Sequence, residues 1–296
     1  MKFILTLLLF FSWTRIDAAQ VVVVTGASRG IGFAIAERLC EKGYTVYAGK
    51  RKTSKMLFLS SLQEKHPERL RILDIDVTDQ QEIDCAIKEI IDKEGHIDVL
   101  VNNAGIMVYG SVENTTIDEA QAMVDVNLFG PMRMSQAVLP FMREKKRGRI
   151  IQIGSRAGFR PLPSIAVYAA TKFALVGLSE SMAATLKAWD IHISIIEPGP
   201  VRTDLDFLAP YGARLSHEND PYCPIFLKAG LLDPYSPMAQ EPEEIAAIVE
   251  EAIEAEKPLF RYQTTPTIQR QAALRYVDIT GLSGVDEWAP VLFGEN

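Results

Sequence analysis

A run of four valines followed at once by a glycine-rich turn is the feature that most constrains the fold of this chain. Val21–Val24 is typical of a short buried strand in a parallel sheet. The turn at 26–32 leads into Ile31, Ile35 and Leu39, which recur at helical spacing. A strand, a glycine turn and a helix in this order let backbone amides at the helix start bind a diphosphate. The glycine spacing departs from the common dinucleotide fingerprint, so a turn that only tightens the chain stays an alternative.

The rest of the chain alternates between strand-like and helical stretches. Further strands are predicted at 45–49, 71–76, 99–102, 149–155, 192–197 and 259–262. Helices are predicted at 80–93, 117–143, 166–187 and 242–255, the last of which opens with Pro242 and acidic residues. This alternation predicts an α/β fold, a doubly wound parallel sheet of about seven strands with helices on both faces. Ligands of such sheets bind beyond the carboxyl ends of the strands.

The length of the chain indicates one full-sized domain, and its charge argues against nucleic acid as a partner. The chain has 296 residues, of which 48% are hydrophobic, so residues 20–296 are predicted to fold as a single domain around a large core. The net charge of -7 and the dispersed basic residues give no face for nucleic acid. Cys40, Cys85 and Cys223 lack metal-ligand spacing and are odd in number, which argues against a metal site and a disulfide framework. Such cysteines favour a reducing, cytoplasmic location.

The first 19 residues resemble a targeting segment. Lys2 precedes the apolar stretch 3–13, and a poor cleavage-site pattern follows it. The stretch is too short to cross a bilayer as a helix, which needs about 20 residues. Three alternatives stay open: an anchor to the membrane surface, an export signal, or residues upstream of the true start of a cytosolic enzyme.

Tyr168 and Lys172 form the pair with the clearest chemistry. Residues four apart share one face of a helix, so the ammonium can lie beside the phenol. A free phenol has a pKa of about 10. A cation about 4 Å away would favour the ionised form by roughly 4 kcal/mol at an effective dielectric of about 20. Lys172 is therefore predicted to bring Tyr168 toward the range of a general acid or base, although a Tyr-x-x-x-Lys spacing alone also arises by chance.

Taken together, the motifs resemble those of the short-chain dehydrogenase/reductase family. They are Thr25-Gly26-Ala27-Ser28-Arg29-Gly30-Ile31-Gly32, Asp76-Val77, Asn102-Asn103-Ala104-Gly105, Asn127, Ser155, Tyr168 with Lys172, and Pro198-Gly199-Pro200-Val201-Arg202-Thr203. The tail from residue 259 onward is similar to the family's branch of estradiol and retinol dehydrogenases. The resemblance implies a Rossmann-like fold, hydride transfer between a nicotinamide nucleotide and a carbinol or carbonyl, and a homodimer or homotetramer.

The resemblance also implies a role for each site residue. Tyr168 would exchange the proton, Lys172 would tune the phenol, and Ser155 would hydrogen-bond the reacting oxygen, although a serine can also simply end a strand. Asn127 would kink its helix and hold a water relay to Lys172; a polar residue that bonds its own backbone is the alternative. The cofactor would contact Tyr168, Lys172, Gly26, Ser28, Arg29, Gly30, Ile31, Gly32, Lys50, Arg51, Asp76, Val77, Asn103, Ala104, Gly105, Pro198, Gly199, Val201 and Thr203.

The residues after the second strand indicate NADP(H) as the cofactor. An NAD enzyme places a carboxylate there for the ribose hydroxyls, and this chain has Gly49, Lys50 and Arg51 instead. Lys50 or Arg51, together with Arg29, could pair with a 2′-phosphate, because arginine presents a fork of donors that suits phosphate. An exposed basic loop at 50–55 that holds no ligand is the alternative.

A proline-rich stretch at 204–240 interrupts the pattern of strands and helices. A loop of this length inside a compact domain is usually functional, so it is predicted to form a lid over the substrate. Its aromatic residues favour a small apolar carbonyl or alcohol substrate such as a steroid, a retinoid or a lipid-derived ketone. A 3-oxoacyl ketone is the alternative substrate, and a protein that binds NADP without turnover is the alternative function.

Overall fold

The computed structural model describes residues 20–203, 220–231 and 238–277. The predicted segment 1–19 and most of the predicted lid at 204–240 lie outside these ranges. The strands are β1 (Val21–Val24), β2 (Thr45–Lys50), β3 (Leu70–Asp74), β4 (Val99–Asn102), β5 (Gly148–Ile153), β6 (Ile191–Glu197) and β7 (Arg261–Gln263).

The helices alternate with these strands along the chain. They are α1 (Gly30–Glu41), α2 (Leu57–Lys65), α3 (Gln80–Glu94), α4 (Ile117–Val124), α5 (Gly130–Lys145), α6 (Ala166–Leu186), α7 (Cys223–Lys228), α8 (Pro242–Glu254) and α9 (Pro266–Val277). A π-helical turn at Asp125–Phe129 joins α4 to α5, and 3-10 turns lie at Arg156–Gly158 and Lys187–Trp189. None of the helices in the three described ranges combines the length and apolarity that a membrane span requires.

The seven strands form one parallel sheet in the order β3-β2-β1-β4-β5-β6-β7. The order reverses at β1, which pairs with β2 on one side and with β4 on the other. In an open parallel sheet this reversal creates a crevice at the carboxyl ends of the two central strands. The predicted doubly wound α/β fold is confirmed.

Successive residues of a strand point to opposite faces of the sheet and pack into two apolar cores, one on each face. Val22 and Val24 belong to the core that contains the buried side chains of α1 and α8. Val21 and Val23 belong to the core that contains those of α3 and α5. Because both faces are covered, the run of four valines is apolar throughout and does not alternate with polar residues.

Side-chain caps fix where several helices begin. Asp79 caps α3 by accepting hydrogen bonds from two backbone N–H groups. Thr116 and Glu119 form a reciprocal capping box at the start of α4, and Pro242 is the first residue of α8. The observed starts at residues 80, 117 and 242 agree with the predicted ones.

Several elements differ from the sequence prediction. The helix predicted at 117–143 is interrupted by the π-helical turn, and strand ends shift by up to two residues. The sequence does not predict α2, α7 or α9. Large apolar side chains of α2 and α9, such as Leu57, Phe58 and Leu274, are exposed, so these helices lack the clean separation of an apolar and a polar face that would reveal them.

A buried ion pair ties the last strand to the sheet. Glu197 at the end of β6 is fully buried and accepts hydrogen bonds from Arg261 and Gln263 of β7. The Arg261 guanidinium also lies against two aromatic rings, with its Cζ 5.9 Å from the ring centroid of Phe159 and 4.9 Å from that of Tyr276. The pair therefore joins β6 and β7 to α9 and to the segment that follows β5.

We expect the substitution Arg261→Ala to lower the free energy of unfolding by about 3 to 5 kcal/mol, because it leaves the Glu197 carboxylate buried without a partner. Equilibrium unfolding in urea measures the change. Arg202→Ala is the matched control, since Arg202 pairs with Glu241 where both side chains are 56% exposed. That loss should cost about 0 to 1 kcal/mol. Equal effects of the two substitutions would contradict the assignment.

Candidate active site

A cavity of about 560 Å³ opens at the carboxyl ends of β1, β4, β5 and β6 and is referred to below as the cleft. Among the predicted site residues, Gly32, Lys50 and Asn127 do not line the cleft, and all the others do. Residues more than 150 positions apart in sequence meet here, from Gly26 to Thr203. They converge because the carboxyl ends of parallel strands lie at one edge of the sheet.

The glycine turn is packed too closely for larger residues. Gly26 has a φ of +65°, and a Cβ on it would lie 2.9 Å from Cα of Ala104. A Cβ on Gly32 would lie 2.5 Å from the carbonyl oxygen of Gly26 and would overlap the amide of Asn103. That amide donates to the carbonyls of Thr25 and Gly26 at 2.9 and 3.2 Å. Asn103 therefore holds the turn from the neighbouring strand end, and the cofactor contact predicted for it stays a prediction.

The start of α1 has the features of an anion site. Gly30 and Ile31 begin the helix and line the cleft, so their backbone N–H groups lie where a ligand can reach them. The first turn carries no acidic residue, and the Arg29 side chain makes no capping hydrogen bond to it. A diphosphate fits this geometry because the helix N-terminus favours negative charge and the glycines let the ligand approach.

The two basic residues predicted for the 2′-phosphate are placed differently. Lys50 is buried at the end of β2, where its ammonium pairs with Asp74 of β3 and does not line the cleft. Arg51 is exposed and lines the cleft, as Arg29 and Ser54 do. Of the alternatives Lys50 and Arg51, only Arg51 is among the described residues that line the cleft.

Ser155, Tyr168 and Lys172 all line the cleft. Oγ of Ser155 accepts from the N–H of Ala157 at 3.0 Å, which leaves its hydroxyl hydrogen available to a ligand. Tyr168 and Lys172 are buried in the first two turns of α6. Nζ of Lys172 lies 5.6 Å from the ring centroid of Tyr168 and donates to the carbonyl of Ile153 at 2.8 Å. Burial lowers the pKa of Lys172 to about 8, because it disfavours the charged form.

Asn127 lies in the π-helical turn, behind the wall of the cleft. Its Oδ1 accepts from the N–H of Ile106 at 2.9 Å, and its Nδ2 donates to the carbonyl of Ile106 at 2.9 Å. Nδ2 also donates to Oγ1 of Thr171, the residue before Lys172, at 3.1 Å. The side chain bonds the segment after β4, so the alternative of a bond to its own backbone does not describe it. The water relay predicted for Asn127 stays a prediction.

Two features of the cleft escape the sequence analysis. Arg156, directly after Ser155, lines the cleft, and its position beside a predicted catalytic residue is the signal that points to it. The other feature is an apolar wall formed by residues from three separate segments. Its members are Met107, Tyr109, Leu162, Ile165, Leu231 and Met238.

The described part of the predicted lid is attached to the loop before α4. The Asp220 carboxylate accepts from the Asn114 amide and from the backbone N–H groups at the start of α7. The Tyr222 hydroxyl donates to the Glu113 carboxylate. α7 therefore has a fixed position beside Leu231, which lies on the apolar wall.

Known proteins resemble this chain over most of its length. The profile of the family described as short chain dehydrogenase matches residues 20–208. The 3-ketodihydrosphingosine reductase of Bacteroides thetaiotaomicron is 32% identical over 84% of this chain and 89% of that protein. Human 17-beta-hydroxysteroid dehydrogenase type 1 is 34% identical over 94% of this chain and 87% of that protein. Retinol dehydrogenase 8 of Bos taurus is 30% identical over 90% of this chain and 88% of that protein.

Solved structures share the architecture as well. A short-chain dehydrogenase from Streptomyces avermitilis has a TM-score of 0.77 and 32% identity, with 95% of this chain and 99% of that chain covered. A metagenomic short-chain oxidoreductase in complex with NADP has a TM-score of 0.65 and 30% identity, with 83% of this chain and 97% of that chain covered.

We expect Gly32→Ala to weaken nucleotide binding by about tenfold or more, because the added Cβ displaces the turn or the Asn103 amide. Titration of the protein with NADPH, followed by nucleotide fluorescence, measures the dissociation constant. Gly177→Ala on α6 is the control, since a Cβ there meets no atom within 4 Å. That variant should bind nucleotide as the parent does, and a similar loss in both variants would contradict the role given to the turn.

Proposed function

Because this chain belongs to the short-chain dehydrogenase family, oxidoreductases that act on CH–OH groups with a nicotinamide cofactor, we propose that it interconverts a secondary alcohol and a ketone or aldehyde with NADP(H). The predicted family and its hydroxysteroid and retinol dehydrogenase branch are confirmed. The observation that carries the proposal is the meeting of Ser155, Tyr168 and Lys172 at the wall of a cleft that also holds the glycine turn.

Each of the three side chains contributes a separate step to carbonyl reduction. The bound cofactor supplies the hydride that reaches the carbonyl carbon. Tyr168 donates its phenolic proton to the carbonyl oxygen, and Ser155 donates a hydrogen bond that stabilises the charge developing there. Lys172 stabilises the tyrosinate that remains, because its ammonium lies near the ring in a buried setting. Oxidation of the alcohol follows the same path in reverse.

The apolar wall supports an apolar substrate. Met107, Leu162 and Ile165 line the cleft on the side of Tyr168 together with Tyr109, and they offer mainly apolar packing surface. The names of the relatives point to apolar molecules too: a sphingoid ketone, a hydroxysteroid and retinol. A steroid, a retinoid or a long-chain lipid ketone is the substrate class we propose.

We also propose that the protein associates with itself. Several large apolar side chains in the π-helical turn, on the helices that flank it and on α6 are exposed in the single chain. They are Ile117, Phe129, Met132 and Phe173. A homodimer or homotetramer that covers them is consistent with the low frequency of large apolar patches on monomeric proteins.

Replacement of Tyr168 tests the proposed function directly. We expect the parent protein to oxidise NADPH in the presence of at least one member of a panel of ketosteroids, retinal and long-chain ketones. Tyr168→Phe should lower this turnover by about 100- to 10,000-fold, the usual contribution of a general acid. NADPH binding should persist in the variant. Tight binding of NADPH with no turnover of any carbonyl by the parent would favour a nucleotide sensor instead.

Lys172 should set the upper pH limit of reduction. Its lowered pKa of about 8 means that the ammonium loses its proton as the pH rises through that value. A neutral amine no longer stabilises the tyrosinate, so we expect kcat for reduction to fall above a pH of about 8. Lys172→Met should lower kcat on the order of 100-fold at neutral pH. In this variant kcat should no longer fall above a pH of about 8. Lys187→Met, at an exposed position just after α6, is the control and should leave the profile unchanged.

Arg51 should determine the preference for NADPH over NADH. Loss of one guanidinium from a 2′-phosphate removes a charge-assisted hydrogen bond worth about 1.5 to 3 kcal/mol. Arg51→Ala should therefore raise the dissociation constant for NADPH by about 10- to 100-fold and leave that for NADH nearly unchanged. Lys55→Ala, at an exposed position of the same loop that does not line the cleft, should change neither. A loss of similar size in the Lys55 variant would favour a loop that acts only through its overall charge.

A further inference from the structure

The described residues that line the cleft include one basic side chain more than the proposed function uses. Four of them are basic, Arg29, Arg51, Arg156 and Lys172, and Asp76 is the single acid. Under the function proposed above, Arg29 and Arg51 lie where the phosphates bind, and Lys172 acts on the catalytic phenol. Arg156 is the basic residue to which that function gives no role.

The backbone holds Arg156 at the reacting end of the cleft. It follows Ser155 directly and is the first residue of the 3-10 turn Arg156–Gly158. Its N–H donates to the carbonyl of Pro198 at 2.7 Å, and Gly199 beside it also lines the cleft. Arg156 therefore lies between the serine proposed to bind the substrate oxygen and the turn proposed to lie under the nicotinamide.

The Arg156 guanidinium is partly buried and has no acidic partner among the described residues. Desolvation is the main influence on it, and the neighbouring Arg160 adds a like charge; together they lower the pKa of Arg156 to about 10. Arg38, Arg133 and Arg261 each pair with a carboxylate. A desolvated cation without a partner costs stability, so its presence in a cleft indicates a ligand that pairs with it.

We propose that the substrate is an apolar oxo acid whose carboxylate pairs with Arg156 while Ser155 and Tyr168 hold its carbonyl. This proposal rests on the proposed function and narrows its substrate class. The planar fork of a guanidinium matches a carboxylate with two parallel hydrogen bonds. One cation without an acidic partner in the described part of the chain balances one carboxylate, whereas a phosphate monoester brings a charge of about -1.5 to -2. The apolar wall packs against the remaining hydrocarbon.

The carboxylate takes no part in the redox step. The carbonyl carbon gains the hydride, the carbonyl oxygen gains the proton of Tyr168, and NADPH becomes NADP⁺. Arg156 contributes binding energy and orientation, so its loss should appear mainly in KM for acids.

Comparison of acids with their methyl esters tests the proposal. A set of straight-chain oxo acids that differ in the position of the ketone would be assayed beside the corresponding esters. We expect the parent protein to prefer at least one acid over its ester by tenfold or more in kcat/KM. Arg156→Gln should bring this ratio to about one. Arg202→Gln removes an equal charge from an exposed pair outside the cleft and should keep the preference.

Ligand-induced thermal stabilisation gives a readout that needs no turnover. Decanoate should raise the melting temperature of the parent protein and of Arg202→Gln in the presence of NADP⁺, and methyl decanoate should raise it less. In Arg156→Gln the extra effect of decanoate should vanish. Without ligand, Arg156→Gln should melt above the parent, because a desolvated unpaired charge is gone.

The outcomes separate this proposal from the function on which it rests. Equal rates for acids and esters in the parent, or an acid preference that survives Arg156→Gln, would overturn the role of Arg156 and leave carbonyl reduction in place. Failure to reduce any ketone, acid or ester would count against the proposed function. The decanoate comparison would still decide whether Arg156 binds a carboxylate.

Discussion

The buried ammonium group of Lys172 fixes the positions of Ser155 and Tyr168 in the proposed site. Nζ of Lys172 donates to the carbonyl of Ile153, the last residue of β5, and this bond fixes α6 against the end of the sheet. Ser155 follows Ile153 by two residues, and Tyr168 precedes Lys172 by one helical turn, so both are positioned by the same contact. The hydrogen bond replaces only part of the hydration that the Lys172 ammonium loses on burial. Burial therefore lowers the pKa of Lys172 to about 8. A cation so placed favours any nearby group that becomes negative, and the phenol is the nearest candidate on its helix.

The π-helical turn extends this arrangement to the neighbouring strand. A continuous α-helix through Asp125–Phe129 would place Asn127 about one residue out of register with Ile106. With the turn, the Asn127 amide pairs with both the N–H and the carbonyl of Ile106, as a neighbouring strand would. The same amide reaches Thr171, so the irregular helix, the segment after β4 and α6 form one hydrogen-bonded unit behind the cleft. The local disruption of the helix is therefore offset by the pairing of buried backbone groups that would otherwise lack partners.

Local sequence patterns predict the scaffold well and the long-range pairs poorly. Val21–Val24 and α8 follow from β-branched composition and from a proline with acidic neighbours, which act within a few residues. The convergence of the glycine turn and Ser155 follows from parallel topology. Tyr168 joins them because Lys172 on the same helix contacts Ile153. In contrast, the partner of Lys50 is Asp74 on the next strand, and no pattern around residue 50 reveals that pair. The same holds for the bond of Asn127 to Ile106, because both depend on which elements become neighbours only after folding. Arg156 is a harder case, since its significance lies in the absence of an acidic partner among the described residues.

Two arginines on either side of one segment have different roles. Arg261 stabilises the fold, and Arg156 is proposed to bind a ligand. Arg261 is enclosed by two aromatic rings and paired with the buried Glu197, and it contributes to stability through those contacts. One of the rings is that of Phe159, three residues after Arg156. The Arg261 guanidinium, which is paired, thus packs behind the segment that carries Ser155. Arg156 of the same segment lines the cleft and has no acidic partner among the described residues. A rigid support lets the cleft keep a cation whose desolvation opposes folding, and a ligand carboxylate would relieve that cost on binding. The contacts of Arg261 stabilise the short stretch between Ser155 and Phe159. The ligand affinity proposed for Arg156 therefore depends on those contacts, because Arg156 lies in that stretch.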